Sequence, residues 1–351
     1  MKIAHKIETY TSDGEPVLRF TVMNSSGVYM EFTNWGARWI TASVPDVQGA
    51  LDNVLIGYDS LAGYLEDSYY MGATIGRFAN RIADASFTID RKTFHLEAND
   101  GNNTNHGGFS GFHNKVWQWE ELPDGIRFSL YSPDGEGGFP GNIRVITDYR
   151  FNEDNELSVR HYAETDCATY INMTNHAYFN LCGKGKKITE HRLHIPADRI
   201  LDTTPAFIPT GKRMNVKNTP FDFTSLKPIG TDLYADHEQL LWNKGYNHCY
   251  ILKDEISVEM LEAASLYEPD YNERSLHKNA PNVPYYPHRN HNYYKENASS
   301  HLILSKETNS ILHLMTDRNE KTTNASKSLL YIRNCNKHLL QLLHHPPISK
   351  K

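Results

Sequence analysis

The chain contains 351 residues, of which 39% are hydrophobic, and it carries a formal net charge of −6 at pH 7. Such a chain has no overall basic field to attract nucleic acid. It lacks the run of about 18–20 apolar residues that a membrane helix needs, and its first residues lack the apolar core of a signal peptide. We therefore predict a cytoplasmic protein that binds neither nucleic acid nor membranes.

The four cysteines are widely spaced and form no CxxC pair: Cys167, Cys182, Cys249 and Cys335. This spacing argues against a redox motif or a compact zinc site. Histidines cluster in residues 288–291 (HRNH) and 344–345, but no nearby cysteine or carboxylate completes a ligand set. A metal held by these histidines is an alternative; the sequence favours a protein without one.

Short segments of alternating or β-branched residues follow one another from residue 16 to about 260. In chain order, the pattern predicts strands over residues 17–24, 28–34, 85–96, 125–132, 143–151 and 156–164. Turn residues separate several of them, at 123–125, 132–135 and 152–155. Helix is predicted only in short pieces such as residues 60–67. The pattern therefore predicts an all-β, mostly antiparallel fold, a large sandwich or a barrel.

The segment INMTNHAYFNL, residues 171–181, also has the composition of a strand, yet it carries several polar side chains. These are Asn172, Asn175, His176 and Asn180. Burying an unpaired amide or imidazole costs about 2–7 kcal/mol. The segment therefore needs polar partners, which either the protein or a polar ligand has to supply.

The composition changes after about residue 269. Residues 270–351 contain none of the 22 glycines, and they carry 12 Lys and Arg against 6 Asp and Glu. A β-rich domain that turns about every ten residues is not expected to lose glycine so abruptly. We predict a β-sandwich domain over residues 1–269, with 270–351 completing it in an atypical way. The alternatives are an ill-ordered tail, or a divergent or shifted reading frame.

Three polar groupings are candidates for chemistry: Asn80 and Arg81 in residues 72–82, His106 in the Asn- and Gly-rich loop 99–108, and His176. Each has an ordinary alternative. Asn80 and Arg81 suit a surface turn with a structural arginine, and a loop histidine is most often a solvated one. Loops on a rigid β scaffold nevertheless commonly carry functional side chains.

Taken together and in this order, the motifs resemble the aldose 1-epimerase (galactose mutarotase) family. The matching words are GRFANRI at 76–82, NHGG at 105–108, DGEGGFPGN at 134–142, NMTNHAYFNL at 172–181 and KGYNHCYIL at 244–252. The resemblance extends from about residue 30 to residue 268. It implies a β-sandwich of the galactose mutarotase type and an isomerase that interconverts the α and β anomers of free aldohexoses such as galactose or glucose.

By the same resemblance, His176 is the acid that protonates the ring oxygen, and no metal or cofactor takes part. His106, Asn80 and Arg81 bind the sugar. A histidine suits this role because its ordinary pKa of about 6.5 lies near cellular pH. The family usually has Asp at the position of Asn247, and an amide loses the charge-assisted hydrogen bond of a carboxylate.

The family's base is a Glu about 60 residues after that Asp position. Glu307, in LSKETNSILH, stands at this distance from Asn247, and the alternative is an ordinary exposed carboxylate. Upstream, Pro284 occupies the place of a sugar-binding Gln and removes both an amide side chain and a backbone N–H. We therefore name His176 and Glu307 as the catalytic pair.

Two further functions remain open at this point. A hexose-phosphate 1-epimerase would need extra Arg or Lys near the phosphate, and no added basic cluster stands beside the matched motifs. A non-catalytic or impaired sugar-binding homologue fits the changes at Asn247 and Pro284. In each case we expect a small-molecule sugar as the partner, and a monomer or a homodimer.

Overall fold

The computed structural model of the chain describes residues 1–46, 48–183, 187–252, 257–268, 275–282, 300–305, 310–312 and 329–334. Strands account for most of the regular structure in these residues. The first strands are β1 (Lys2–Tyr10), β2 (Pro16–Met23), β3 (Tyr29–Thr33), β4 (Arg38–Pro45), β5 (Leu51–Asn53), β6 (Thr74–Ile75), β7 (Arg81–Ile82), β8 (Ser86–Ile89), β9 (Lys92–His95), β10 (Thr104–Asn105), β11 (Gln118–Leu122), β12 (Gly125–Ser132), β13 (Ile143–Phe151) and β14 (Glu156–Thr165).

The later strands are β15 (Thr174–Asn175), β16 (Tyr178–Phe179), β17 (Arg192–His194), β18 (Arg199–Thr203), β19 (Pro209–Asn215), β20 (Lys227–Pro228), β21 (Asn247–Ile251), β22 (Ser257–Tyr267), β23 (Ser275–Asn282), β24 (Ser300–Ser305), β25 (Ser310–Leu312) and β26 (Leu329–Asn334). Helices in the described part of the chain are short: α1 (Leu61–Leu65), α2 (Glu238–Asn243), and single 3₁₀ turns at Ala83–Ala85, Phe112–Asn114, Glu136–Gly138 and Ile229–Thr231.

These strands form three larger sheets within the described residues. β1 to β5 pair in chain order, a second sheet has the order β11-β12-β13-β14-β26-β23-β22-β17-β20, and a third has the order β16-β25-β24-β21-β18-β19. β26 runs parallel to its neighbours β14 and β23, whereas the other paired strands described here are antiparallel. The prediction of a mostly antiparallel all-β fold is therefore confirmed.

Aromatic side chains of the first sheet pack against both other sheets. Phe32 of β3 stacks on Tyr149 of β13 with ring centroids 4.5 Å apart, and Trp39 of β4 meets Phe179 of β16 edge-on at 5.6 Å. All four belong to one continuous core of buried side chains. Burying a large apolar side chain contributes about 1.5–3 kcal/mol, so these contacts hold the three sheets together. A face-to-face sandwich of two sheets stays a prediction.

The strands predicted over 17–24, 28–34, 125–132, 143–151 and 156–164 coincide with β2, β3, β12, β13 and β14 to within one or two residues. The segment 85–96 is a hairpin, β8 with β9, and 60–67 contains α1. The interpretation of 171–181 as one strand is wrong. It contains two short strands that pair in different sheets, β15 with β6 and β16 with β25.

The described parts of 270–351 are strands hydrogen bonded to the rest of the chain. β23 pairs with β22, β24 pairs with β21, and β26 lies between β14 and β23. The division of the chain into 1–269 and an atypical 270–351 stays a prediction. Residues 288–291 and 344–345, where a histidine metal site was the alternative, lie outside the described residues, as does Pro284.

Candidate active site

His176 lies where the chain passes from one sheet to another, between β15 and β16. Its backbone N–H donates to the carbonyl oxygen of Ala73 at 2.8 Å, and its own carbonyl accepts from the N–H of Gly72 at 2.9 Å. The imidazole is buried, with 4% of the residue exposed. The two hydrogen bonds fix the backbone of His176 where the chain changes sheets, and its side chain lies inside the protein.

The amides next to His176 have protein partners. Asn175 Nδ2 donates to the carbonyl of Gly72 at 2.7 Å and to the hydroxyl of Tyr149 at 2.9 Å. Asn180 Oδ1 accepts from the N–H of Cys182 at 3.0 Å. These two amides therefore stabilise the passage of the chain from one sheet to the next.

His106 and Asn80 hold each other by two hydrogen bonds. The N–H of His106 donates to the carbonyl of Asn80 at 3.1 Å, and the N–H of Asn80 donates to His106 Nδ1 at 3.0 Å. Since Nδ1 accepts a hydrogen bond, the neutral ring must carry its proton on Nε2. Both residues have left-handed backbones, with φ of 68° at Asn80 and 53° at His106. Such conformations are uncommon for residues other than glycine, although Asn and His adopt them more often than most, and they concentrate at functional sites.

Arg81 follows Asn80 and begins β7, which pairs with β10 so that Arg81 lies opposite Asn105. Its Nε donates to Asp100 Oδ2 at 2.6 Å, and its guanidinium carbon lies 5.0 Å from the ring centre of Phe207. An ion pair on one side and an aromatic face on the other fix the plane of the guanidinium. Its two NH₂ groups supply four further donors, a pattern suited to several sugar hydroxyls.

The two predicted site histidines lie side by side. The ring centroids of His106 and His176 are 5.0 Å apart at 87°. Tyr70 contacts both, at 4.7 Å and 5.6 Å, and also His113 at 4.6 Å. Tyr178 adds a further contact to His176 at 5.2 Å. His106 and His176 are 70 positions apart in the chain, yet they share one aromatic cluster, which we call the histidine cluster.

Close backbone packing supports the His106 loop. Gly107 has φ of +87°, and a Cβ there would lie 2.0 Å from the carbonyl oxygen of Gly76. Only glycine allows this approach, which explains the glycine that follows His106. Beneath the loop, the N–H of Glu97 donates to the carbonyl of Gly137 at 3.2 Å. The motif at 134–142 therefore lies under the His106 loop.

Asn247 begins β21, on the same sheet as Tyr178. Across the sheet, Tyr178 pairs with Leu312, Leu312 with Ile303, and Ile303 with Asn247. Three strand spacings separate the two ends of this row by about 14 Å. Asn247 is half-buried and too far from Tyr178 for contact. The structure therefore does not bring Asn247 against the histidine cluster.

Glu307, the sequence-predicted base, falls in residues 306–309 and lies outside the described residues. The strands on either side of it in sequence, β24 and β25, pair with each other as antiparallel neighbours. Of the carboxylates near the cluster, Asp67 is fully buried against Arg38 at 2.6 Å. Asp100 is 40% exposed and pairs with Arg81.

Sequence reasoning missed Tyr70, Tyr178, His113, Asp100 and Phe207, which surround the predicted residues. A sequence signal was available at two of them: Asp100 lies inside the Asn- and Gly-rich loop 99–108, and Tyr178 lies inside the motif at 172–181. The others are ordinary aromatic and imidazole side chains in a chain with 21 Tyr and 14 Phe.

The described residues contain no group of three or more His, Cys, Asp or Glu side chains placed to hold a metal ion. The helices of the described residues are too short to cross a membrane. The candidate site is thus a cluster of histidine, tyrosine, arginine and amide groups, suited to hydrogen bonding and proton transfer.

Known proteins are similar to this chain in sequence. Residues 19–322 match the sequence model of the family described as Aldose 1-epimerase. The aldose 1-epimerase of Escherichia coli K12 is 38% identical over 242 residues, which cover 69% of this chain and 70% of the relative. The galactose mutarotase of Bos taurus is 38% identical over 232 residues, 66% of each chain.

Solved structures share the fold as well. A galactose 1-epimerase from Lactobacillus acidophilus NCFM superposes with a TM-score of 0.67 at 28% identity, over 76% of this chain and 77% of the other. A GalM/aldose epimerase homologue from C. elegans gives 0.66 at 27% identity, over 73% and 77%. The family match and the identity to these relatives confirm the resemblance, and the chain belongs to the aldose 1-epimerase family.

Proposed function

We propose that the protein interconverts the α and β anomers of free aldohexoses such as galactose or glucose, with His176 as the acid. The observation that carries the proposal is the buried pair His106 and His176, 5.0 Å apart with Arg81 in the adjoining strand. The relatives named aldose 1-epimerase and galactose mutarotase support it. A cytoplasmic location and a monomer or homodimer belong to the same proposal.

The reaction moves two protons and breaks one bond. A base takes the proton of the C1 hydroxyl, the C1–O5 bond breaks, and an acid delivers a proton to O5, which gives the open-chain aldehyde. Rotation about C1–C2 and the reverse transfers then close the ring on the other face. Each positioned acid or base contributes about 10²–10⁴-fold. His176 delivers the proton to O5 in this scheme, from a backbone fixed by Ala73 and Gly72.

His106, Asn80 and Arg81 bind the sugar. The Nδ1 of His106 accepts from Asn80, so its Nε2–H is the donor for a hydroxyl or ring oxygen. The NH₂ groups of Arg81 donate to neighbouring hydroxyls, while Asp100 and Phe207 hold the guanidinium plane. Asn247, at the start of β21, is proposed to accept a hydrogen bond from a sugar hydroxyl farther from the histidine cluster.

We propose Glu307 as the base. A paired test separates it from the described carboxylate nearest Arg81: Glu307→Gln is compared with Asp100→Asn. Loss of the base costs about 10²-fold in turnover or more, whereas loss of the Asp100 pair weakens sugar binding and raises KM. A turnover loss confined to Asp100→Asn would reject Glu307.

Polarimetry tests the function directly. The optical rotation of freshly dissolved α-D-galactose and α-D-glucose is followed with and without protein, beside the corresponding 6-phosphates. Faster approach to equilibrium with the free sugars supports the proposal. Acceleration confined to the phosphates indicates a hexose-phosphate 1-epimerase. Sugar binding by calorimetry without acceleration indicates a non-catalytic binding protein, the function that the Asn at position 247 favours.

A further inference from the structure

Tyr70 occupies the centre of the histidine cluster, although no part of the proposed reaction uses it. Its ring lies 4.7 Å from His106, 4.6 Å from His113 and 5.6 Å from His176, centroid to centroid. The contacts to His106 and His113 are edge-on, at 66° and 71°. Edge-to-face pairs at such distances contribute stability in addition to that from the apolar area that they bury. One ring therefore contacts both of the site's imidazoles.

The backbone of Tyr70 is fixed by a buried ion pair. Asp67 Oδ1 accepts from the N–H of Tyr69 at 2.9 Å, and Asp67 Oδ2 accepts from the N–H of Met71 at 2.8 Å. Arg38 Nη1 donates to the same Oδ2 at 2.6 Å and to the carbonyl of Met71 at 2.9 Å. The residues on both sides of Tyr70 are thus tied to one carboxylate and one guanidinium.

Tyr70 itself has a left-handed backbone, with φ of 59°. A bulky residue in this region is an outlier that persists only where the surroundings determine it. Burial also raises the pKa of its hydroxyl, and a hydrogen bond with Asn99 lowers that pKa by less. The phenol therefore stays neutral near pH 7, and the ring presents a neutral surface to the imidazoles.

His113 is a third imidazole in contact with the Tyr70 ring. It is buried, and burial together with the nearby charge of Arg38 lowers its pKa to about 3. Its carbonyl oxygen accepts from Arg38 Nη2 at 3.3 Å. The same arginine thus holds both the Tyr70 loop and the backbone of His113, and the tyrosine ring contacts this buried imidazole as well as the two site imidazoles.

We infer that Tyr70 is a positioning residue for the epimerase reaction: it sets the relative orientation of the His106 and His176 rings, and the Arg38–Asp67 pair holds it in place. This inference rests on the proposed function for its catalytic consequence. Proton transfer depends on geometry within hydrogen-bond reach, and a misplacement of 1 Å can cost about 10²-fold. Loss of the ring should therefore reduce kcat more than it raises KM.

The kinetic test compares Tyr70→Leu, Tyr70→Phe and, as a matched control, Tyr69→Leu. Tyr69 is the neighbouring tyrosine, with 50% of the residue exposed. We expect Tyr70→Leu to lower kcat for α-D-galactose by about 10-fold or more, with a smaller change in KM. Tyr70→Phe keeps the ring and should remain within about threefold of wild type, as should Tyr69→Leu. Equal kcat in Tyr70→Leu and wild type would overturn the inference.

A measurement on the wild-type protein keeps the inference testable if Tyr70→Leu does not fold. Proton NMR should show nuclear Overhauser contacts from the Tyr70 ring to the ring protons of both His106 and His176. Absence of both contacts would overturn the inference that Tyr70 orients the two rings. Wild-type protein that shows these contacts but does not accelerate mutarotation would reject the proposed function and leave the placement of Tyr70 intact.

Discussion

Two arginines from one motif, Arg77 and Arg81 in GRFANRI, end up in very different surroundings. Arg77 is 2% exposed, and its guanidinium donates to carbonyl oxygens of Pro133, Pro140 and Gly141 at 2.7–3.0 Å. Arg81 makes one ion pair and lies against one aromatic ring. The protein satisfies the first arginine completely and leaves the second with donors suited to a ligand.

The same contrast divides the histidines. His161, His191 and His248 are buried on protein partners: the hydroxyl of Thr147, the N–H of Leu181 and the side chain of Gln239. Those three rings hold the fold together. His106 also has such a partner, since its Nδ1 accepts from the N–H of Asn80, but its ring lies against the His176 ring and against Tyr70. The difference teaches that burial alone does not identify a site histidine, whereas the contact between two imidazoles sets this pair apart from the three structural rings.

The largest expected effect is a loss of stability, and it tests the contrast between the two arginines by comparing Arg77→Met with Arg81→Met. Loss of the Arg77 guanidinium leaves several buried carbonyl oxygens without donors, so we expect the free energy of unfolding to fall by about 3–5 kcal/mol. Arg81→Met removes a partly exposed ion pair worth about 0–1 kcal/mol but should weaken sugar binding. Urea unfolding and polarimetry measure the two quantities. Similar stability losses in both variants would contradict the division into structural and site arginines.

The next largest expected effect is the loss of turnover in His176→Ala. Without the acid that protonates the ring oxygen, turnover should fall by at least about 10²-fold, which corresponds to about 2.7 kcal/mol. His95→Ala, at an exposed histidine on β9, is the matched control and should leave turnover unchanged. Turnover within a few-fold of wild type in His176→Ala would refute its role as the acid.

Much of this fold was predictable from sequence because antiparallel strands and their turns are local features. β12, β13 and β14 follow from alternation and from the turn residues at 123–125 and 152–155. The crossing at His176 was not predictable, since a change of sheet depends on which strands lie beside each half of 171–181. The polar groupings marked Asn80, Arg81, His106 and His176 as candidates, whereas their roles, and Asn247, came from the family resemblance.

Tyr70 and Phe207 illustrate what the sequence leaves out. Tyr70 reaches the histidine cluster because Asp67 and Arg38 shape its loop, and Phe207 reaches Arg81 from the turn between β18 and β19. Each contact joins segments that are distant in the chain and have no shared pattern. Only the assembled sheets bring them together, so such residues are found from coordinates and not from motifs.

A third prediction concerns pH and the structural histidines. Burial lowers the pKa of His161 to about 4, against about 6.5 in the unfolded chain. Below pH 6.5 the unfolded state therefore binds a proton that the folded state does not. The folded state therefore keeps its full stability above pH 6.5 and loses stability as the pH falls toward 4. At pH 5 this titration lowers the free energy of unfolding by about 2 kcal/mol.

The variant His161→Gln removes this titration while it keeps a partner for the Thr147 hydroxyl. The unfolding free energy, measured by urea denaturation at several pH values, should then depend less steeply on pH between 4 and 6.5. The expected reduction is about 1.4 kcal/mol per pH unit. A slope equal to that of wild type would show that His161 does not resist protonation in the folded protein.

The smallest effect concerns Asn247, where the ligand and not the protein is expected to complete the hydrogen bonding. Asn247→Asp restores a carboxylate, and a charge-assisted hydrogen bond is roughly twice as strong as a neutral one. We expect KM for galactose to fall by about 3- to 10-fold, with kcat changed little. Asn215→Asp, the same substitution on β19 of the same sheet, should leave KM unchanged. An unaltered KM in Asn247→Asp would place Asn247 outside the sugar's reach, and would confine recognition to the part of the site that carries Arg81 and His106.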